Sequence, residues 1–281
     1  MTNHPILSLE VVEQIIDMVA TKSESQHKQF DDFPSLKSCA LVCHSFLALC
    51  RKHIFGFVIL NRRRPFISPT SDDLNQFLLD SPHLAAYIRK LDYFVTNKEF
   101  VKKRLPWLSS MFKKLVKLQK LKIHYSHSQR SRRLDWMLSS AREVLIPLLH
   151  LPTITNITLS TIQNFALADL AGCVNLKKLR IGPLECSTGV GKFLKALPAT
   201  PLMLERLSLN GENVKSVQLL CDARRPDGKP LIDFSSLNKI KAEVAQLDLM
   251  TELFGMCSNL LKVDISSMSP PHLHLMHLLI L

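Results

Sequence analysis

Two stretches decide the reading of this chain: Cys173-Val174-Asn175-Leu176-Lys177-Lys178-Leu179-Arg180-Ile181 and Cys257-Ser258-Asn259-Leu260-Leu261-Lys262-Val263-Asp264-Ile265. Both carry the pattern apolar-x-x-apolar-x-apolar. The same pattern recurs at Ile88/Leu91/Tyr93, Leu118/Leu121/Ile123, Ile154/Ile157/Leu159, Leu204/Leu207/Leu209 and Leu237/Ile240/Ala242. First positions are separated by 30, 36, 22, 28, 33 and 23 residues. The last three residues of each motif alternate with period two, which is a strand signal and disfavours an all-helical repeat. Helical periodicity fills the intervals: 136–149, 162–173, 190–197, 214–221 and 244–257. A unit of this length cannot bury its apolar face alone, whereas stacked units share one core. The expected fold is therefore α/β: an irregular leucine-rich-repeat solenoid of strand-loop-helix units over residues 61–281. The Asn that often follows such strands is missing; Ser126, Ile162, Leu184 and Met268 stand in its place. The turns must be satisfied in another way. The apolar end after Ser269-Pro270-Pro271 reads either as a truncated chain or as an extra strand or helix covering the last unit.

Residues 1–60 have a different texture. Residues 7–20 repeat with helical period, Ser8 is suited to cap them, and the apolar side spans about 180°. A surface helix needs a stripe of only about 100°, so the excess calls for a partner. A second helical block is expected from Pro34 through Phe46, with Leu36, Cys39, Ala40 and Cys43 on one face. A third runs from Leu47 to Phe55, and residues 57–60 read as a strand. Leu7-Ser8-Leu9-Glu10 with Ile15-Ile16-Asp17, then Leu36 and Cys39-Ala40-Leu41-Val42-Cys43-His44-Ser45-Phe46, then Cys50-Arg51-Lys52-His53-Ile54-Phe55, resembles an F-box in the form common in mushroom-type fungi. The usual Leu-Pro is Leu7-Ser8 here, and the usual Trp of the second block is Phe46. The resemblance implies docking on the Skp-family adaptor of a cullin ubiquitin ligase. The implied contact set is Leu7, Leu9, Glu10, Ile15, Ile16, Leu41, Val42 and Phe46. Of these, Leu7, Leu9 and Glu10 are expected to touch the partner. Ile16, and Cys43 beside the set, are expected to pack the helices together.

Charge supplies the second theme. The 281 residues carry a net +12, and residues 98–133 hold twelve Lys or Arg against Glu99 alone. In the strand motif, the column just before the second apolar position reads Lys90, Lys120, Asn156, Lys178, Arg206, Lys239, Lys262. Stacked strands lie about 4.8 Å apart, inside a Debye length of about 8 Å, so this column predicts a basic ladder. Lys90, Lys120, Lys178, Arg206, Lys239 and Lys262 are the candidate target-binding residues. An acidic or phosphorylated protein would relieve their repulsion; a merely solvated face is the plainer alternative. Nucleic acid is the weaker rival, because no reading module is present and Phe100, Trp107, Phe112 and Tyr125 suit core packing better than base stacking.

Gly189-Val190-Gly191-Lys192 lacks the Gly and Ser/Thr of a phosphate loop, with Cys186 and Phe193 in those places. Cys39, Cys43, Cys50 and His53 do not form the close pairs that zinc prefers. His272, His274 and His277 have no Cys or carboxylate nearby. No Ser or Cys stands at a known triad spacing from a His, so no catalysis, metal or cofactor is expected. No apolar run approaches the roughly 18 residues of a membrane span, and no secretory signal is visible. Seven scattered Cys fit a reducing compartment, cytoplasmic or nuclear. The expected role is a substrate-recruiting adaptor. A non-ubiquitin interaction scaffold and a basic nucleic-acid binder are the alternatives.

Overall fold

The computed structural model describes residues 8–25, 34–62, 68–96, 105–125, 134–136, 139–182, 186–187, 200–210, 214–225, 227–243, 248–266 and 276–278. Its centre is one mostly parallel sheet. The strands are β1 (Phe57–Leu60), β2 (Lys90–Val95), β3 (Lys120–Tyr125), β4 (Asn156–Ser160), β5 (Lys178–Ile181), β6 (Arg206–Asn210), β7 (Lys239–Glu243), β8 (Lys262–Ser266) and β9 (Met276–Leu278). Spatial order equals chain order. The first eight are parallel, and β9 pairs antiparallel with β8. Every recurring motif thus contributes one strand, and after the last motif β9 pairs with β8, the strand among the alternatives left open for the apolar end.

Alternation explains the sheet. Leu91, Leu121, Ile157, Leu179, Leu207, Ile240 and Val263 form one buried column. Tyr93, Ile123, Leu159, Ile181, Leu209 and Ala242 form the next. The residues between them face away from the core, as period two requires. The first apolar residue of each motif lies before its strand, and six of the seven are buried: Ile88, Leu118, Ile154, Leu176, Leu204 and Leu237; Leu260 is half-buried. Each strand from β2 to β8 is entered by a backbone bond to the preceding unit, for example Lys178 N to Thr155 O at 3.0 Å and Arg206 N to Lys177 O at 3.0 Å.

The apolar side is covered by α4 (Ser71–Asp80), α5 (Leu105–Lys113), α6 (Ala141–Leu149), α7 (Val214–Asp222) and α8 (Asp248–Gly255). Thr70 starts α4 with a reciprocal capping box to Asp73. Residues 162–173, expected to be helical, are instead two short strand segments, Ile162–Gln163 and Phe165–Ala166, followed by a 3-10 turn, Leu167–Gly172. Phe165, Ala166 and Leu167 are consecutive buried residues, which a helix with one buried face would not produce. Of the expected helices over 136–149 and 244–257, the described residues show α6 and α8; residues 137–138, 244–247 and 190–197 lie outside the described residues.

Side chains tie the turns before the strands to the preceding unit. Asn175 Nδ2 donates to Pro152 O at 2.7 Å, and Asn259 Nδ2 to Ser235 O at 2.8 Å. Thr153 Oγ1 donates to Leu118 O at 2.7 Å. Beneath the sheet, Asp169 accepts from Arg142 Nε and Nη2, both at 2.8 Å, and from Trp136 Nε1 at 2.7 Å. All three side chains are nearly sealed from solvent.

The first three helices are α1 (Leu9–Ser25), α2 (Pro34–Ala40) and α3 (His44–Ile54). They own a separate small core of Val12, Ile16, Ala20, Leu36 and Cys50. The second block does not run through Phe46 as expected. The helix stops at Ala40, the chain turns through Leu41-Val42, and α3 starts at His44 with Cys43 as its N-cap. Cys43 is therefore exposed rather than packed, because the i, i+4 relation to Cys39 is broken.

Candidate interaction surfaces

On α1 the wide apolar arc divides in two. Val12, Ile16 and Ala20, at i, i+4 and i+8, face the small core. Leu9, Val11, Ile15 and Met18 stay exposed, at 58%, 40%, 41% and 59%. Leu41 and Val42, in the turn after α2, are exposed at 87% and 67%. Glu10 is exposed, and its carboxyl is held below the usual range by its hydrogen bonds to its own backbone N–H and to Ser8. Of the eight expected contact residues, Leu9, Glu10, Ile15, Leu41 and Val42 are accessible. Ile16 is buried as expected of a packing residue, Phe46 is half-buried against the small core, and Leu7 lies outside the described residues. The cluster is tied across its polar side by Lys52, whose Nζ lies 2.6 Å from Glu13 and 2.9 Å from Asp17, and by His53 Nε2 at 2.8 Å from Asp17.

The polar face of the sheet carries the second surface. The strand register places Phe57, Lys90, Lys120, Asn156, Lys178, Arg206, Lys239 and Lys262 side by side. The six expected target-binding residues therefore fall in one row. The adjacent row reads Ile59, Asp92, Lys122, Thr158, Arg180, Ser208, Lys241, Asp264. Its acids stand near the two ends and neutralise what is nearest. Asp264 lies 3.1 Å from Lys239 and 3.6 Å from Lys262, and the Lys239 hydrogen bond holds its carboxyl below the usual range. Asp92 lies 3.7 Å from Lys122. In the middle, Lys178, Arg180 and Arg206 sit on two neighbouring strands with Thr158 and Ser208 beside them. Among the described residues, Glu205 is the acid nearest in effect, and it is already bound to Lys177 at 2.7 Å. The centre of the row is thus its most electropositive part.

Compared with known proteins, the chain matches no family model and no curated protein.

Of the dense basic segment, Lys113, Lys114, Lys117, Lys120 and Lys122 are described. Phe112 and Tyr125 are buried in the sheet core and Trp107 packs against it, so these three aromatics offer no stacking platform; Phe100 lies outside the described residues. Gly189–Lys192 and His272 and His274 also lie outside them. Among the described residues no three His, Cys, Asp or Glu side chains gather as metal ligands, and no helix is long and apolar enough to cross a membrane.

One constellation escaped the sequence reading. Ser160 Oγ lies 2.5 Å from His124 Nδ1, and His124 Nε2 lies 3.0 Å from Asp92 Oδ1. The three come from β4, β3 and β2, 36 and 32 residues apart in sequence. His124 and Ser160 share the row just after the last apolar residue of each motif (Phe94, His124, Ser160, Gly182, Asn210, Glu243, Ser266), whereas Asp92 belongs to the adjacent row, so no single column of the sequence gathers all three.

Proposed function

We propose that the chain is a substrate-recruiting adaptor of a cullin-based ubiquitin ligase. In this reading α1–α3 form the F-box-like unit that docks on a Skp-family adaptor, and the stacked units after residue 60 form a leucine-rich-repeat solenoid that holds a target. The observation carrying the reading is the apolar face of Leu9, Ile15, Leu41 and Val42, exposed among the described residues, on a helical unit with its own core. A face of this kind is an association surface rather than a solvated one. The basic row centred on Lys178 and Arg206 favours an acidic or phosphorylated target protein. The adaptor role itself needs no catalysis by this chain.

Co-purification tests the docking. Replacing Leu9 and Ile15 together by Asp puts two unpaired charges into the interface, each costing on the order of several kcal/mol. Recovery of the Skp-family adaptor and cullin with the wild type, and loss of both with the double variant, is the expected outcome. Undiminished recovery with the variant would refute the assignment of this face. Co-purifying nucleic acid, sensitive to nuclease and salt, would favour the nucleic-acid binder instead.

A further inference from the structure

We propose that Asp92, His124 and Ser160 form a nucleophilic acyl-transfer site at the carboxyl ends of β3 and β4, taking an activated ester or thioester that carries a negative charge. The proposal rests on side-chain geometry and is independent of the adaptor reading.

The geometry is that of an activated serine. Ser160 is the last residue of β4 and His124 the fifth of the six in β3, and both face the polar side of the sheet. The 2.5 Å contact lets the Ser160 hydroxyl donate to the Nδ1 lone pair, which leaves the ring proton on Nε2. Nε2 then faces Asp92 Oδ1 at 3.0 Å. The approach lies off the N–H axis, so Oδ1 takes no formal hydrogen bond here. Such contacts commonly tighten when substrate binds. Three features fix the ring. Phe94 stacks on it at 5.0 Å and 17°. The Asp92 side chain is nearly buried, at 11% exposure, and so cannot swing away. Lys122 Nζ, 3.7 Å from Oδ2, engages the other carboxylate oxygen.

The neighbouring strand completes the site. Gly182 follows the last residue of β5; a Cβ there would stand 2.7 Å from Ser160 Cβ, so only glycine leaves Ser160 where it is. Asn210 ends β6, and its Oδ1 is buried with no hydrogen-bond partner among the described residues. Arg180, exposed and opposite Thr158 in the register, is a cation on the adjacent strand, and no carboxylate among the described residues pairs with it. It supplies the preference for a negatively charged acyl group.

The step balances as follows. Ser160 Oγ bonds to the carbonyl carbon while its proton passes to His124 Nδ1. The resulting imidazolium is neutralised by Asp92 at Nε2. The carbon–oxygen or carbon–sulfur bond to the leaving group then breaks, and His124 returns the proton to the departing alkoxide or thiolate. Water, deprotonated by the same nitrogen, attacks the acyl-serine and releases the carboxylic acid, regenerating Ser160. Ser160 and His124 are the catalytic residues; Asp92 is a positioning residue.

The full chain, incubated with p-nitrophenyl acetate and with the mono-p-nitrophenyl ester of glutaric acid, tests this by nitrophenolate release and intact mass. Wild type should gain one acyl group, mapped to Ser160, faster from the charged ester, with a rate that climbs as the imidazole loses its proton. Ser160→Ala should lose the adduct, and His124→Gln should slow acylation by about 100-fold or more. Arg180→Gln should erase the preference for the charged ester. Asp92→Asn, with unaltered circular dichroism, should change the pH profile of acylation and not only its rate. Absence of acylation in the wild type, or a Ser160→Ala rate equal to wild type, overturns the site. An unchanged profile in Asp92→Asn removes Asp92 from it.

Discussion

Asp169 is the residue on which the interior under the sheet turns. Its carboxylate holds a guanidinium and an indole N–H in a space sealed from water. Its own backbone carbonyl lies 2.6 Å from His150 Nε2. Gly172 must be glycine beside that ring, since a Cβ would fall 2.5 Å from it. Truncating one partner of a buried ion pair strands the other charge, at a cost of about 3–5 kcal/mol. Asp169→Ala should therefore lower the urea midpoint by the equivalent of that amount. The double variant Arg142→Met with Asp169→Leu should recover part of the loss, because no charge is left buried; Trp136 Nε1 still lacks its acceptor. A single variant as stable as wild type would show that the pair carries no structural weight. Nothing in the sequence marks this group. Asp169 and Arg142 sit among apolar residues in segments that read as helix faces, and only the 3-10 turn brings them within reach.

At the scale of elements, α1 shows how much one helix can be asked to do. Its polar side is clamped to α3 through Lys52 and His53, and its apolar side is shared between a core and an open face. The Lys52 hydrogen bond is the main cause that holds the Asp17 carboxyl below the usual aspartate range, with His53 adding to it. A lowered folded value means that the unfolded chain takes up the proton first. The Asp17 contribution is thus complete above the ordinary aspartate value and is lost as pH falls through the lower folded one. Helicity of α1–α3 should weaken on acidification below about pH 4, and Asp17→Asn should flatten that dependence. A dependence equally steep in the variant would assign it to other carboxylates. The division of the arc predicts a second contrast. Ile16→Asp should melt the small core, whereas the neighbouring Ile15→Asp should leave its circular dichroism intact. The width of the arc was legible in the sequence, since it follows from 3.6 residues per turn. The break after Ala40 was not: Leu41 and Val42 are good helix-face residues, and only the tertiary turn that exposes them reveals where α2 stops. The strands were the most legible elements, because a period of two survives insertions of any length between them.

For the whole molecule, the decisive property is that space repeats sequence: each motif adds one strand beside the last, so columns in a sequence table become rows on a surface. That is why the basic ladder could be read before the sheet was seen. It is also why Asp92, His124 and Ser160 could not be found by spacing alone, since their proximity depends on which columns share a face. Row geometry refines the ladder. Lys239 and Lys262 share Asp264, whereas among the described residues Lys178, Arg180 and Arg206 at the centre have no salt-bridge partner and only Glu205, itself paired with Lys177, nearby. Reversing Lys178 and Arg206 to Glu should abolish capture of an acidic or phosphorylated target, while reversing Lys262 should have a smaller effect. Wild-type binding should weaken steeply between low and physiological salt, because exposed charges separated by more than a Debye length are screened. Adaptor co-purification should be unchanged, since the reversed residues lie on β5 and β6, far along the chain from α1. The measurement is target recovery by affinity purification at two ionic strengths, read beside adaptor recovery from the same sample. Equal target recovery by the wild type and the Lys178/Arg206 variant, with equal salt dependence, would make the row a solvated face. Loss of both target and adaptor would show instead that charge reversal had disturbed the fold. The central rows would then serve to space the strands rather than to bind.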